Sequence, residues 1–182
     1  MTIVYILIAV AVVIVALVIV IAMQPADFRV VRSAKISVPP SEAFAQVNDF
    51  HKWEAWSPWA KLDPAMKVDY QGPPAGTGTS YSWNGNKNVG AGRMTVTESR
   101  PSDLVRIKLD FLRPFASTND VEFTFKPEGT QTVVTWTMVG KKIFITKAFG
   151  LVMSMDKMVG GMFEQGLAQM KAVVEGKKVA VS

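Results

Sequence analysis

Residues 3–23 form an apolar run, from Ile3 to Met23, with no charge and no strongly polar side chain. At about 1.5 Å per residue, a helix of roughly 21 residues spans the ~30 Å hydrocarbon core of a bilayer. Val and Ile dominate the run. They are weak helix formers in water, but in lipid the backbone must satisfy its own hydrogen bonds, and a single segment does that only as a helix. A cleaved secretory signal would look different. No Lys or Arg precedes the run, its length exceeds the usual ~7–15 apolar residues, and the exit Ile21-Ala22-Met23-Gln24-Pro25 has no small-x-small site. A soluble core helix apolar on every face is also unusual. The expectation is an uncleaved single-pass anchor over residues 1–24, in the membrane through residues 3–23, with a second unit over 25–182. Gln24-Pro25 ends the helix, because a residue before proline is biased away from helical angles.

Only the α-amino group precedes the span, and Arg29, Arg32 and Lys35 follow it. The positive-inside rule then favours a cytoplasmic C-terminal unit, unless those residues belong to a folded strand. The chain has no cysteine, which excludes a disulfide framework. Net charge is +5. Beside an anchor, this suits attraction to anionic head groups. Nucleic acid is not an expected partner, since no dense Lys/Arg cluster is interleaved with aromatics.

After Pro25 the hydrophobic period changes to two. Phe28, Val30, Ala34, Ile36 and Val38 share one parity, a half-buried strand stopped by Pro39-Pro40. Ser41 is expected to cap a short helix, and Phe50 to Trp56 a second one closed by Ser57-Pro58. Strands follow at 66–70, 79–83, 92–99, 104–112, 119–126 and 132–139. Asn84-Gly85 marks a hairpin, because both residues tolerate positive φ. From Met155 to Val174 the apolar spacing returns to three and four, an amphipathic helix, with a shorter helical piece at 143–153 and a frayed tail from Gly176. The fold class is therefore α+β. A meander with one apolar face needs a cover, and the terminal helix is the one element large enough.

Several segments in this order carry a family resemblance. They are Val38-Pro39-Pro40 with Phe44, the block Trp53-Glu54-Ala55-Trp56-Ser57-Pro58-Trp59, and Gly76-Thr77-Gly78 leading to Trp83. Val89-Gly90-Ala91-Gly92-Arg93-Met94, Thr135-Trp136-Thr137-Met138 and the closing helix with Phe163, Gly166 and Leu167 continue it. From about Phe28 to Glu175 the chain resembles the SRPBCC, or START-like helix-grip, superfamily, in its polyketide cyclase/dehydrase-like branch. The resemblance implies a curved antiparallel sheet wrapped around a long C-terminal helix. It also implies a hydrophobic small molecule, a lipid or polyketide-like compound, as partner. Some members cyclise or dehydrate such ligands, so the resemblance does not fix an activity.

Candidate residues follow from parity. Trp53 and Trp56 lie one helical turn apart. Tyr81, Trp83, Phe111, Phe123, Trp136 and Met138 fall on inward strand positions, and Met158 and Met162 on the opposing helix. Together they make either an ordinary core or the lining of an apolar cavity, and the resemblance favours the cavity. Gly160, Gly161 and Gly166 in that helix require either close packing or open volume. Two charges, Arg32 and Glu98, share inward parities and are the candidates for catalysis. The alternative is that both lie near strand ends and reach solvent. His51, the single histidine, reads as a surface residue. Without cysteine there is no Cys/His zinc site, and no metal or cofactor is expected. Gly76-x-Gly78 and Gly90-x-Gly92 lack a third glycine and read as hairpin and bulge glycines. Residues 141–149, Lys141 to Phe149, alternate lysines with apolar anchors and form either a solvated helix or a lid on the bilayer. The reading adopted is a membrane-anchored binding domain. The alternatives are a cyclase/dehydratase-type enzyme and an interaction or stress-related domain with a vestigial cavity.

Overall fold

The computed structural model describes residues 2–151 and 154–176. Helix α1, Thr2–Met23, projects from the rest of the chain, with Ile21 its one buried residue. At about 1.5 Å per residue it is roughly 33 Å long. Strand β1 (Asp27–Ile36) follows and leads into α2 (Pro40–Asn48). Pro39 is the N-cap of α2 and Pro40 its first residue; Ser41 makes no capping bond and is already inside the helix. Proline's fixed φ suits that first position and its missing N–H costs nothing there. A 3₁₀ turn (Phe50–Lys52), α3 (Trp53–Trp56) and a second 3₁₀ turn (Pro58–Lys61) come next.

Six strands then run as an antiparallel meander: β2 (Lys67–Gln71), β3 (Ser80–Asn84), β4 (Ala91–Arg100), β5 (Leu104–Arg113), β6 (Ser117–Glu128) and β7 (Gln131–Lys141). β1 closes the far edge on β7, giving one sheet in the order β1-β7-β6-β5-β4-β3-β2. Helices α4 (Phe144–Gly150) and α5 (Met155–Val174) complete the chain. The sheet grips α5 from one side, the helix-grip architecture. The tail beyond Gly176 and two residues of the expected 143–153 helix, 152 and 153, lie outside the described residues.

Register explains which residues turn inward. Val30, Met138 and Val121 are mutual partners across β1, β7 and β6, as are Arg32, Trp136 and Phe123. Side chains on that parity form the inner face, and the next residues along each strand form the outer one. The expected Asn84-Gly85 two-residue turn is instead a loop over residues 85–90. Asn86 Oδ1 accepts from the N–H groups of Asn88 and Val89, and Gly90 takes the positive φ of 65°. An asparagine that caps its own loop competes with the tight turn.

The cover over the inner face is shared rather than left to one helix. Trp53 and Trp56 of α3 donate their indole N–H groups to the carbonyls of Val47 (3.0 Å) and Gln46 (3.1 Å). These carbonyls belong to the last turn of α2, which has no intrahelical donors for them. The two indoles are thereby fixed with their rings on Phe123 and Trp136. Trp59 packs on Trp136 and Phe163, and Phe163 of α5 stacks on Trp136 at 3.9 Å between ring centroids. Gly166 makes this approach possible: a Cβ there would lie 2.9 Å from the Trp136 ring and 3.2 Å from Pro58.

Because Trp56 is fully buried, Trp56→Ala should cost about 3–5 kcal/mol of unfolding free energy in denaturant titration. Gly166→Ala, which gains helix propensity but collides with a ring held on five sides, should also destabilise. A Gly166→Ala protein as stable as the parent would show that the stack can move.

Candidate functional site

Arg32 and Glu98, the paired candidates of the sequence, separate to opposite faces. Arg32 lies at the centre of β1 and points inward, under α5. Its Nη1 meets Asp156 Oδ1 at 2.9 Å and its Nε meets Glu164 Oε1 at 2.5 Å. Nη2 donates to Asp156 Oδ2 at 3.0 Å and to the Asp156 carbonyl at 3.1 Å. A Cβ on Gly160 would fall 2.1 Å from Nη2. Gly160 is thus the place where the guanidinium crosses the helix, and Arg32 is a clamp for α5. The hydrogen bonds from Arg32 hold the Asp156 carboxyl below its ordinary value, and those to Asp156 and Glu164 raise Arg32 above its own.

Glu98 does not face the core. A β-bulge between Val96 and Glu98 inserts one residue, so that Val96 opposes Ile107 but Glu98 opposes the outward Arg106. Glu98 Oε2 meets Arg106 Nη1 at 2.6 Å, and Arg106 Nε meets Glu122 Oε2 at 2.9 Å. Glu98 and Arg100 also pair. Parity counted from Met94 and Val96 fails at the bulge, and a screened outer ion-pair row replaces the expected inward acid. His51 is exposed, stacks on Tyr70 at 4.1 Å and bonds Asp49 through Nδ1.

The aromatic candidates divide into two groups. Trp53, Trp56, Phe123, Trp136 and Met138 are buried and fill the space beneath α3 and α5. Tyr81, Trp83 and Phe111, with Met94, are half-buried on the inner face of β3, β4 and β5. α5 lies along β1 and meets α3 and the Pro58–Lys61 turn, and no helix packs broadly on β3 or β4. The half-buried group therefore forms the less covered part of the apolar inner face, beside the packed aromatic cluster. Burial pushes the Tyr81 hydroxyl up to about 12, and it remains a neutral donor at physiological pH.

Met158 and Met162 stand apart from the packed core: Met158 is exposed and Met162 half-buried. Each precedes by one position, about 100° around the helix, a residue turned toward the sheet: the partly buried Val159 or the buried Phe163. Gly161 faces open space, whereas Gly160 and Gly166 serve close packing. Two surface depressions of about 630 and 430 Å³ lie around Arg29 and Asp120, mostly on the outer face, and neither is lined by Tyr81, Trp83, Met94 or Phe111.

Inverse polarity appears at two atoms the sequence could not single out. The Trp136 indole N–H and the Gln169 side-chain oxygen are buried without a hydrogen-bond partner in the described structure. Each such group costs about 1–3 kcal/mol if left unpaired. Trp136 was legible as an inward aromatic, but its missing acceptor depends on the rings around it.

A family model described as "Polyketide cyclase / dehydrase and lipid transport" matches residues 27–175. The chain belongs to this family. Solved structures share its fold at low identity. Protein CV1439 from Chromobacterium violaceum is 15% identical with a TM-score of 0.58, over 84% of this chain and 99% of that one. The Aha1 dimer from Colwellia psychrerythraea gives 16% and 0.57, over 84% and 99%. DynU16 of the dynemicin biosynthetic locus gives 16% and 0.57, over 82% of this chain and 48% of that one. No curated protein matches at a significant level. At these identities the structural neighbours establish the helix-grip fold and not an activity.

The Arg32–Asp156 pair sets a pH dependence. Asp156 is lowered in the folded state, so its contribution is fully present above the ordinary value of 3.8 and is lost as pH falls through the lowered value. The difference in Tm between the parent and Asp156→Asn should be largest above about pH 5 and should shrink toward zero near pH 2. A difference that stays constant with pH would assign the effect of the substitution to something other than the ion pair.

Proposed function

We propose that this chain is a membrane-anchored helix-grip domain that takes up an apolar, lipid-like molecule in the trough floored by Tyr81, Trp83, Met94 and Phe111. The observation that carries this reading is the incomplete cover of the inner face. One half is filled by interlocked rings, while the other keeps large apolar side chains half-exposed with no helix broadly across them. An acyl chain burying roughly 300 Å² of apolar surface there would gain about 7 kcal/mol before ordering costs, enough for retention. The family description, which includes lipid transport, supports the same class of ligand.

In this reading α1 is the anchor. It is long and apolar enough to cross a bilayer, with a mean hydropathy of 3.6. The domain stands on the cytoplasmic side only if the positive-inside rule applies here. Arg29, Arg32 and Lys35 all belong to β1, and Arg32 is tied to α5. Folded residues of this kind carry less weight in the rule than a free juxtamembrane segment. Binding here needs no nucleophile: the trough desolvates the ligand, and its aromatic floor supplies the contact area.

Native mass spectrometry of residues 25–182 purified from host extract should show a reproducible adduct of lipid mass. Met94→Trp, which fills the floor, should lower its retention at least ten-fold while circular dichroism remains unchanged. Absence of any adduct, together with no uptake of a fluorescent fatty acid, would overturn the binding reading. Conversion of a bound ligand to a product of different mass would replace it with the enzyme alternative.

A further inference from the structure

We infer that the end of the domain from which α1 leaves is a docking surface for the bilayer that holds α1, and that the trough opens onto that surface. This rests on the anchor reading proposed above. Strand register places the start of β1, the end of β7, the β5–β6 turn and the β3–β4 loop at one end of the sheet. Asp27 pairs Lys141, Ala91 pairs Arg113, and Asn84 pairs Ala91. Helix α4 stands at the same end, against α1, with Lys147 Nζ bonding the Ala22 carbonyl at 3.2 Å.

Exposed apolar side chains concentrate there. Among the described residues outside α1, the large hydrophobics that are exposed come from this end or the segments beside it. Leu112 ends β5 and Phe115 lies in the β5–β6 turn, Phe144, Ile145 and Phe149 belong to α4, and Leu151 and Leu62 to the flanking connections, while Val68 of β2, Val139 of β7 and Met158 of α5 lie on elements that start or finish there. The opposite end, with the turns at residues 72–79, 101–103 and 128–130, exposes none. Scattered exposed apolar residues are ordinary on a protein surface, but their restriction to one end is not.

Charge follows the same division. Lys87, Arg113, Lys141, Lys142 and Lys147 surround the apolar group, and none forms an ion pair among the described residues. Arg113 donates to Asn84 Oδ1, which leaves its charge unneutralised. The acids at or near this end are Asp27, Asp63, Asp110 and Asp120; Asp63 is spent on the N–H groups of Ala65 and Asn86, and Asp110 on Lys108 and Thr118. At the far end, by contrast, Lys35 pairs Glu128 and Arg100 pairs Asp103.

Apolar anchors ringed by unpaired cations fit an anionic leaflet. The leaflet is also already in place, because only three residues, 24–26, separate the end of α1 from the start of β1. No free linker separates helix and domain, so an inserted α1 holds this end within reach of the head groups. Phe111 and Trp83 of the trough lie on the strand ends directly behind the surface. A lipid could therefore pass from leaflet to trough with its acyl chain leaving one apolar medium for another.

The chain has no cysteine, so the full-length protein can carry single spin labels. Labels at Val10→Cys, Phe115→Cys, Phe149→Cys and, at the opposite end, Thr130→Cys would be read in phosphatidylcholine vesicles with and without phosphatidylserine. The expected result is high oxygen and low nickel-chelate accessibility at 10, 115 and 149, and the reverse at 130. Lys141→Glu with Lys142→Glu should reduce the docked population by at least about five-fold per residue. If 10 is immersed while 115 and 149 match 130, docking is overturned and the anchor stands. If 10 is aqueous, the anchor reading fails and docking with it. Shielding of 115 and 149 from both reagents would assign the surface to a protein partner and overturn the bilayer. Immersion indifferent to phosphatidylserine would overturn the part assigned to the cations.

Discussion

Trp136 is the constraint around which the domain is arranged. Its ring contacts Trp53, Trp56, Trp59, Phe123 and Phe163, which come from α3, the turn after it, β6 and α5. A sheet with one apolar face needs material laid over it, and here three separate segments converge on one indole. Each aromatic pair adds about 0.5–1.5 kcal/mol beyond burial of its area, so the hub outweighs the 1–3 kcal/mol attached to its unpaired N–H. The glycine at 166 belongs to the same solution, since any side chain there would push α5 off the ring. The helix is held a second time at Arg32. Lys171 and Glu175 then fasten its far end to the turn after β1, through the carbonyl of Lys35 and the N–H of Ser37.

Those fastenings leave the two ends of the domain unequal. Where α5 finishes, Thr132 bonds Val38, Phe44 packs on Phe125, and Ser99 bonds Asn48. Polar and apolar groups there are matched within the domain. Where α1 ends, several cations have no ion pair among the described residues, and apolar side chains are exposed. A core of this size could have been closed at both ends with one more helix over β3 and β4. The material that might have served is α4, and it is placed against α1 instead, with none of its residues buried.

The sequence was most legible where a pattern repeats. Period two located all seven strands within a few residues, and the spacing of three and four located α5, because burial on one face dictates both. Trp53 and Trp56 could be assigned to the wall over the sheet from their one-turn spacing and the proline after them. Illegible features were those decided by a single insertion or a distant partner. One extra residue at the bulge sent Glu98 outward, which alternation cannot foresee. Arg32 was correctly placed inward, yet its partners Asp156 and Glu164 lie more than a hundred positions away. Asn84-Gly85 signalled a hairpin but not the capping by Asn86 that lengthened it. Among the methionines, a rotation of one residue around α5 separates Met158 and Met162 from the packed stripe. Helical spacing alone does not resolve a shift that small when methionines occupy both sides of the stripe.

In the proposed reading, an open trough and an uncovered apolar end are costly in water, and the two costs are linked. A separate domain with this surface would expose several aromatic side chains together, the condition under which proteins associate nonspecifically. On the anchor reading, attachment to α1 changes the reference state, because an end held at a lipid surface is only intermittently an end in water. Filling the trough with fixed side chains would raise stability but remove the space, and covering the end with α4 would separate the space from the leaflet. The clamp at Arg32 and the stack at Trp136 accordingly secure α5 without help from that end. Stability is concentrated in the closed half, and in the proposed reading the other half is the one that exchanges a ligand.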